Sequence, residues 1–110
     1  MKTLMNEIHT IEEFEACIKQ AKTTVIVFSA EYCPDCQFLK TFIGKLIVKY
    51  SMFDFEYVDT QALPEVAKYY DVLGIPSFLI FSNGEEIGRF VSRFRKAEAE
   101  VDTFLAKNVE

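Results

Sequence analysis

Cys33 and Cys36 are the residues of this chain whose type and spacing can do chemistry. A disulfide needs its Cα atoms about 4.4–6.8 Å apart. Two residues three apart on an α-helix are separated by a rise of about 4.5 Å and a lateral chord of about 2.3 Å, roughly 5 Å in all. If the first turn of a helix lies between them, the pair can close a bond or stand open as two thiols with little rearrangement. Pro34 suits that turn, because at the first helical position its missing N–H had no intrahelical partner to lose. Cys33 then sits at the N-cap, facing free backbone N–H groups and the positive end of the helix dipole. That environment favours the thiolate, which is the nucleophile. Cys36 lies one turn in, with its sulfur less accessible. The asymmetry gives Cys33 the attack on a disulfide and Cys36 the resolution of the mixed disulfide that results.

The spacing alone leaves other readings open. A CxxC pair is half of a zinc site, and zinc in a structural site takes four ligands. Only Cys17 and His9 remain as further donors, one on a helix stripe and one before it. The pair could also be inert, or could bridge an iron–sulfur cluster across a dimer. Cys17 follows Phe14 by three residues and reads as a buried, unreactive thiol. His9 stands alone beside a cap position and reads as exposed.

Stepping outward, 110 residues, half of them apolar and 11 of them Phe, make one domain (1–110) with a real core. A net charge of −5 and the lack of a basic stripe argue against nucleic acid and membrane surfaces as partners. Three cysteines are an odd number, unlike a secreted disulfide scaffold. The first ten residues hold no signal-peptide core, and the apolar run Val25 to Phe28 is far too short to span a bilayer. The expectation is a cytoplasmic monomer.

The elements that must position the pair follow from periodicity. Thr10 and Glu13 read as a capping box, followed by Ile11, Phe14, Ile18 and Ala21 at helical spacing. Val25–Phe28 reads as a strand buried on both faces. After the CxxC, the stripe Phe38, Leu39, Phe42, Ile43, Leu46 and Ile47 predicts one core-facing helix. Residues 53–58 alternate as a strand, and Leu63, Val66, Ala67 and Tyr70 give a short helix. Gly74-Ile75-Pro76 punctuates the chain before a strand at Ser77–Phe81. Asn83-Gly84 is a hairpin signal leading into a strand from Ile87 to Val91. Ala97, Val101, Phe104 and Leu105 close with a helix, and Leu4–Ile8 offers a short edge strand. The fold class is therefore α/β, with a mixed central sheet of four to five strands flanked by helices on both faces. The βαβ half predicts parallel strands, and the hairpin an antiparallel one.

These features resemble the thioredoxin family. VIVFSAEYCPDC (25–36) is similar to its strand and redox site, Gly74-Ile75-Pro76-Ser77 to its cis-proline turn, and Asn83-Gly84 to its hairpin, over about Ile8 to Leu105. The resemblance implies a thioredoxin-like fold, Cys33 as attacking thiol, Cys36 as resolving thiol, and Pro76 as a cis residue beside them. Pro76 lacks an N–H, so its neighbours are free to pair with an extended substrate strand. Tyr32, Pro34, Asp35 and Ile75 are the supporting residues, and Gly74, Ser92 and Arg93 the candidate substrate contacts, because the family's 92–94 loop lies near the site. No bound cofactor or metal is implied beyond the redox pair. Partners would be a disulfide-containing protein or small thiol substrate, and an external reductant such as a thioredoxin reductase or a low-molecular-weight thiol. The alternative is a binding module that uses the cis-proline edge, with vestigial redox activity.

Several positions depart from the family pattern. The intervening dipeptide is Pro34-Asp35 rather than Gly-Pro, which points to small bacterial thioredoxin-like proteins with a CPDC site. Tyr32 and Ser29 stand where tryptophans are common. Val27 and Phe55 replace a buried aspartate and its lysine partner, which implies a slower, narrower reductase. Asp35 either serves the helix dipole or raises the Cys33 pKa, and both effects can coexist. Arg89, Arg93, Arg95 and Lys96 form a basic cluster, read as a solvated face or as a lure for an anionic thiol or acidic partner.

Overall fold

The computed structural model describes residues 4–109. Along the chain run β1 (Asn6–Glu7), α1 (Ile11–Ile18), β2 (Thr24–Ser29), α2 (Pro34–Lys40), α3 (Ile43–Lys49), β3 (Asp54–Asp59), α4 (Pro64–Tyr69), β4 (Ser77–Ser82), β5 (Glu85–Phe90) and α5 (Glu98–Lys107). The five strands form one mixed sheet in the order β1-β3-β2-β4-β5. β1, β3 and β2 are parallel; β4 runs antiparallel to β2, and β5 antiparallel to β4. Two antiparallel pairings therefore occur, one more than the hairpin alone supplies.

Strand alternation sends successive side chains to opposite faces. Val25, Val27, Phe55, Tyr57, Phe78 and Ile80 join Cys36, Leu39, Ile43, Leu46, Val101 and Leu105 under one face, against α2, α3 and α5. Ile26, Phe28, Val58, Leu79 and Phe81 join Phe14, Cys17, Ile18 and Val66 under the other, against α1 and α4. β2 is central and every residue of it is buried, which is why it reads as a continuous apolar run rather than an alternating one.

Three local expectations are corrected. The predicted single helix after the CxxC is two helices, broken at Thr41–Phe42. Thr41 Oγ1 donates to the Phe38 carbonyl at 2.7 Å, and Thr41 and Phe42 make i→i−3 bonds, so the ladder stops. The break keeps Leu39 and Ile43 both in the core while leaving Phe38 at the surface. At the start of α1, Thr10 Oγ1 accepts from the Glu13 N–H as a cap should. The Glu13 carboxylate, however, reaches back to the His9 N–H instead of that of Thr10. Finally, α1 stops at Ile18, because the hairpin turn takes over its last carbonyls. Asn83 and Gly84, both at positive φ, donate their N–H groups to Gln20 O (3.1 Å) and Ile18 O (2.8 Å). The hairpin register is irregular between Ile80 and Phe81, where Ile87 is the extra residue on the edge strand.

Candidate functional site

β2 ends at Ser29 and the chain turns once before α2 begins. The Cys33 N–H donates to the Ala30 carbonyl at 3.3 Å, and the Cys33 carbonyl accepts from the Gln37 N–H at 3.0 Å. Cys33 is the N-cap of α2 with extended dihedrals, and Pro34 is the first helical residue. The Cys33 side chain makes no capping hydrogen bond. All three cysteines are thiols, with Cys33 half-buried and Cys36 only 1 % exposed. One sulfur therefore meets solvent and the other faces the core.

Burial pushes the Cys36 thiol up to about 11, against the Ser29 hydroxyl and the Ala30 backbone, which favour its thiolate; the neighbouring Cys33 raises it further. Ser29 shares a face with Val25 and Val27 by strand alternation. Its Oγ is fully buried without an ordinary hydrogen-bond partner. It also favours ionisation of the Tyr57 phenol, which burial pushes well above its usual range, with Cys36 nearby adding to the rise. Val27 and Phe55 do line this core, as their apolar types require. The surroundings of the Cys36 thiol are nevertheless not wholly apolar, since the Ser29 hydroxyl and the Ala30 backbone reach it.

The other sequence-selected residues converge on the same end of the sheet. The Ile75–Pro76 peptide is cis. Pro76 is buried, and Ile75 and Cys33 both pack on the core cluster that holds Cys36. Ser77 Oγ donates to the Gly74 carbonyl at 2.5 Å, bracing the turn. A Cβ on Gly74 would run into the Ser92 carbonyl and the Arg93 backbone, so glycine is required where these two loops touch. Tyr32 is 67 % exposed beside the pair. Asp35, on the first turn of α2, accepts from Arg95 Nε at 2.9 Å, and the Arg95 guanidinium lies 4.6 Å over the Phe38 ring. This ion pair is a third role for Asp35, one that its position in the helix did not reveal.

The basic cluster is not a single solvated face. Arg89 pairs with Glu86 and donates to the Tyr70 carbonyl. Arg93 is exposed over the Phe94 ring. Lys96 is buried, because two loop carbonyls and an aromatic ring receive its ammonium. No sequence signal separates Lys96 from its exposed neighbours. Cys17 and His9 do not approach the pair as metal donors: Cys17 lies under the opposite face, and His9 sits by Glu7 and Glu13. Among the described residues no three His, Cys, Asp or Glu side chains are grouped to hold a metal ion, and no helix is long and apolar enough to cross a membrane.

A family model described as Thioredoxin matches residues 6–107. Thioredoxin-1 of Saccharomyces cerevisiae is 32% identical over 88 residues, covering 80% of this chain and 85% of that protein. Thioredoxin of Callithrix jacchus is 30% identical over 105 residues, covering 93% of this chain and 100% of that protein. Among solved structures, mitochondrial thioredoxin 3 of Saccharomyces cerevisiae in its oxidized form superposes with a TM-score of 0.80 at 27% identity, covering 94% of this chain and 96% of that one.

Proposed function

The chain belongs to the thioredoxin family, whose members are thiol–disulfide oxidoreductases, and from that premise we propose that it reduces protein or low-molecular-weight disulfides through Cys33 and Cys36. The observation that carries the assignment of roles is the asymmetry of the pair: Cys33 is half-buried at the N-cap of α2, and Cys36 is sealed one turn below it. The Cys33 thiolate attacks a substrate disulfide R–S–S–R′. The R–S bond to Cys33 forms, and R′–S⁻ leaves with the electron pair. Cys36 then gives up its proton, its thiolate attacks the Cys33 sulfur, and R–S⁻ leaves as the Cys33–Cys36 disulfide closes. Two electrons pass from the dithiol to the substrate. A thioredoxin reductase or a low-molecular-weight thiol returns them.

We read the cis turn at Ile75–Pro76, with Gly74, Ser92 and Arg93 beside it, as the edge where an extended substrate segment adds as a strand, and the exposed Tyr32 as a flank of the pair. Since the relatives named above are eukaryotic, placement among small bacterial proteins with a CPDC site rests on Pro34-Asp35 alone. The absence of a carboxylate at Val27 supports a narrower, slower reductase. Such an enzyme suits a reducing, cytoplasmic compartment, where a close cysteine pair is catalytic rather than structural. It would act there as a monomer.

Insulin reduction by dithiothreitol tests the reading. The protein is expected to accelerate precipitation of the insulin B chain, and Cys36→Ser is expected to retain a covalent substrate adduct through Cys33. A rate equal to that of dithiothreitol alone, with no adduct formed, would leave the binding-module reading in its place.

A further inference from the structure

Lys96 is the one charged side chain buried among the described residues, at 2 % exposure. Its Nζ donates to the Ser92 carbonyl at 2.8 Å and to the Phe94 carbonyl at 2.9 Å, and stands 5.5 Å from the centre of the Phe90 ring. Both carbonyls belong to the loop 91–97 between β5 and α5. That loop is fastened to the first turn of α2 by Arg95–Asp35 and abuts Gly74 beside the cis turn. The ammonium is therefore held at the end of the sheet where the CxxC begins its helix. The charged and titratable groups around it are Asp35, Cys36 and Cys33 from α2 and its cap, and Glu100 from α5. Arg95, next along the loop, has its charge paired with Asp35. Phe90, the ring under the ammonium, packs with Cys33 on the core cluster that holds Cys36. Burial lowers the Lys96 pKa, and Asp35, Cys36, Glu100 and Cys33 each favour its charged form.

Burying an ammonium is costly unless an anion or several hydrogen bonds receive it. Two carbonyls and an aromatic face take part of that cost. An ammonium has three N–H donors, and among the described residues two are engaged. We propose that Lys96 is a positioning residue for the resolving step, its buried ammonium stabilising the Cys36 thiolate as that thiolate forms in the mixed disulfide. In the step, Cys36 loses its proton to solvent, the thiolate attacks the Cys33 sulfur, the Cys33–Cys36 bond forms, and the substrate thiolate leaves with the electron pair. Lys96 keeps its proton throughout. This role rests on the reading of Cys36 as the resolving thiol. It gives the site a counter-charge where Val27 and Phe55 supply only apolar surface.

The test uses the reduced protein and the aromatic disulfide 5,5′-dithiobis(2-nitrobenzoate) in stopped flow. Attack by Cys33 releases one coloured thiolate, and resolution by Cys36 releases the second. In Lys96→Met, which keeps length and packing, the second release is expected to slow about tenfold near neutral pH as its pH midpoint moves up by about one unit. Lys96→Arg, whose charge cannot be lost, is expected to bring the midpoint back toward wild type. A midpoint unmoved in Lys96→Met, whatever happens to stability or to the first release, overturns the proposal and leaves Lys96 as a bracket for the loop. If Lys96→Met does not fold, Lys96→Gln takes its place with the same readout, and an unmoved midpoint there overturns the proposal in the same way. A wild-type protein that never releases the second thiolate overturns the redox reading itself, a result distinct from an unmoved midpoint.

Discussion

Two thiols of this chain are buried, one under each face of the sheet, and the balance of the groups around them differs. Cys17 sits at the end of α1 among Phe14, Ile18 and the inner face of β2. Burial pushes its thiol up to about 12, and the carboxylates of Glu56 and Asp54 push the same way. Cys36 is more deeply buried, yet its thiol stops at about 11, because Ser29 and the Ala30 backbone favour the charged form. Lys96 lies on that side, with Cys36 among the groups that favour its charge. Depth alone would rank Cys36 as the more inert of the two. What faces each sulfur differs: beyond burial, carboxylates add to the rise at Cys17, while a hydroxyl and a backbone amide offset it at Cys36.

The largest expected effect separates the pairs by turnover. Cys33→Ser should drop insulin reduction to the uncatalysed background, whereas Cys17→Ala should leave the rate unchanged. Loss of turnover in Cys17→Ala would break the comparison at its root. The next effect is in labelling. With iodoacetamide on the reduced native protein, followed by peptide mapping, Cys33 should react first, Cys36 next and Cys17 last. The ranking of the two buried thiols follows from the groups that favour the Cys36 thiolate and the carboxylates that oppose the Cys17 thiolate. Cys17 labelled ahead of Cys36 would reverse the ranking.

Two substitutions beside Cys36 should move resolution in opposite senses. Ser29→Ala removes a group that favours the thiolate, so the pH midpoint of the second release should rise by up to about one unit. Val27→Asp supplies a proton acceptor within the same core and should speed resolution near neutral pH, at a stability cost of about 1–3 kcal/mol for the buried acid. That acid is stabilised in its protonated form, so its folded pKa is raised. The cost is therefore smallest in acid and grows as pH rises. Wild-type resolution that is already fast and independent of pH would contradict both.

The smallest effect is in the alkaline stability of the reduced protein. Cys17 has an ordinary value of 9.0 and a folded value of about 12. A raised folded pKa contributes stability that is present below 9.0 and is lost as pH rises through 12. Denaturant melts should therefore show the wild type losing stability more steeply than Cys17→Ala across that window. Parallel alkaline limbs would mean that the folded environment leaves Cys17 unshifted. Near neutral pH the same variant should cost about 1 kcal/mol for the lost buried sulfur.

The residues explain which parts of this were legible beforehand. Helix and strand positions followed from periodicity because alternation and the 3.6-residue repeat are properties of neighbouring residues. The break at Thr41–Phe42 escaped that logic, since the stripe continues through it and only the Thr41 hydroxyl turning back to Phe38 reveals it. Within the site, Cys33 at the N-cap and Pro34 at the first turn were readable because an i, i+3 pair and its cap lie inside one turn of chain. Ser29 was visible only as a departure from a family pattern, with no indication of what its hydroxyl would face.

By itself, then, the sequence determined the redox pair, its asymmetry and the α/β frame around it, since each depends on contacts a few residues apart. The tertiary structure alone decided that Asp35 meets Arg95 across 60 residues, that Gly74 abuts Ser92, and that Lys96 among three neighbouring cations is the one turned inward. Those choices depend on where the loop after β5 crosses the end of the sheet. That path is fixed by the packing of β4, β5 and α5 on the core rather than by any preference of Arg93, Arg95 or Lys96 themselves.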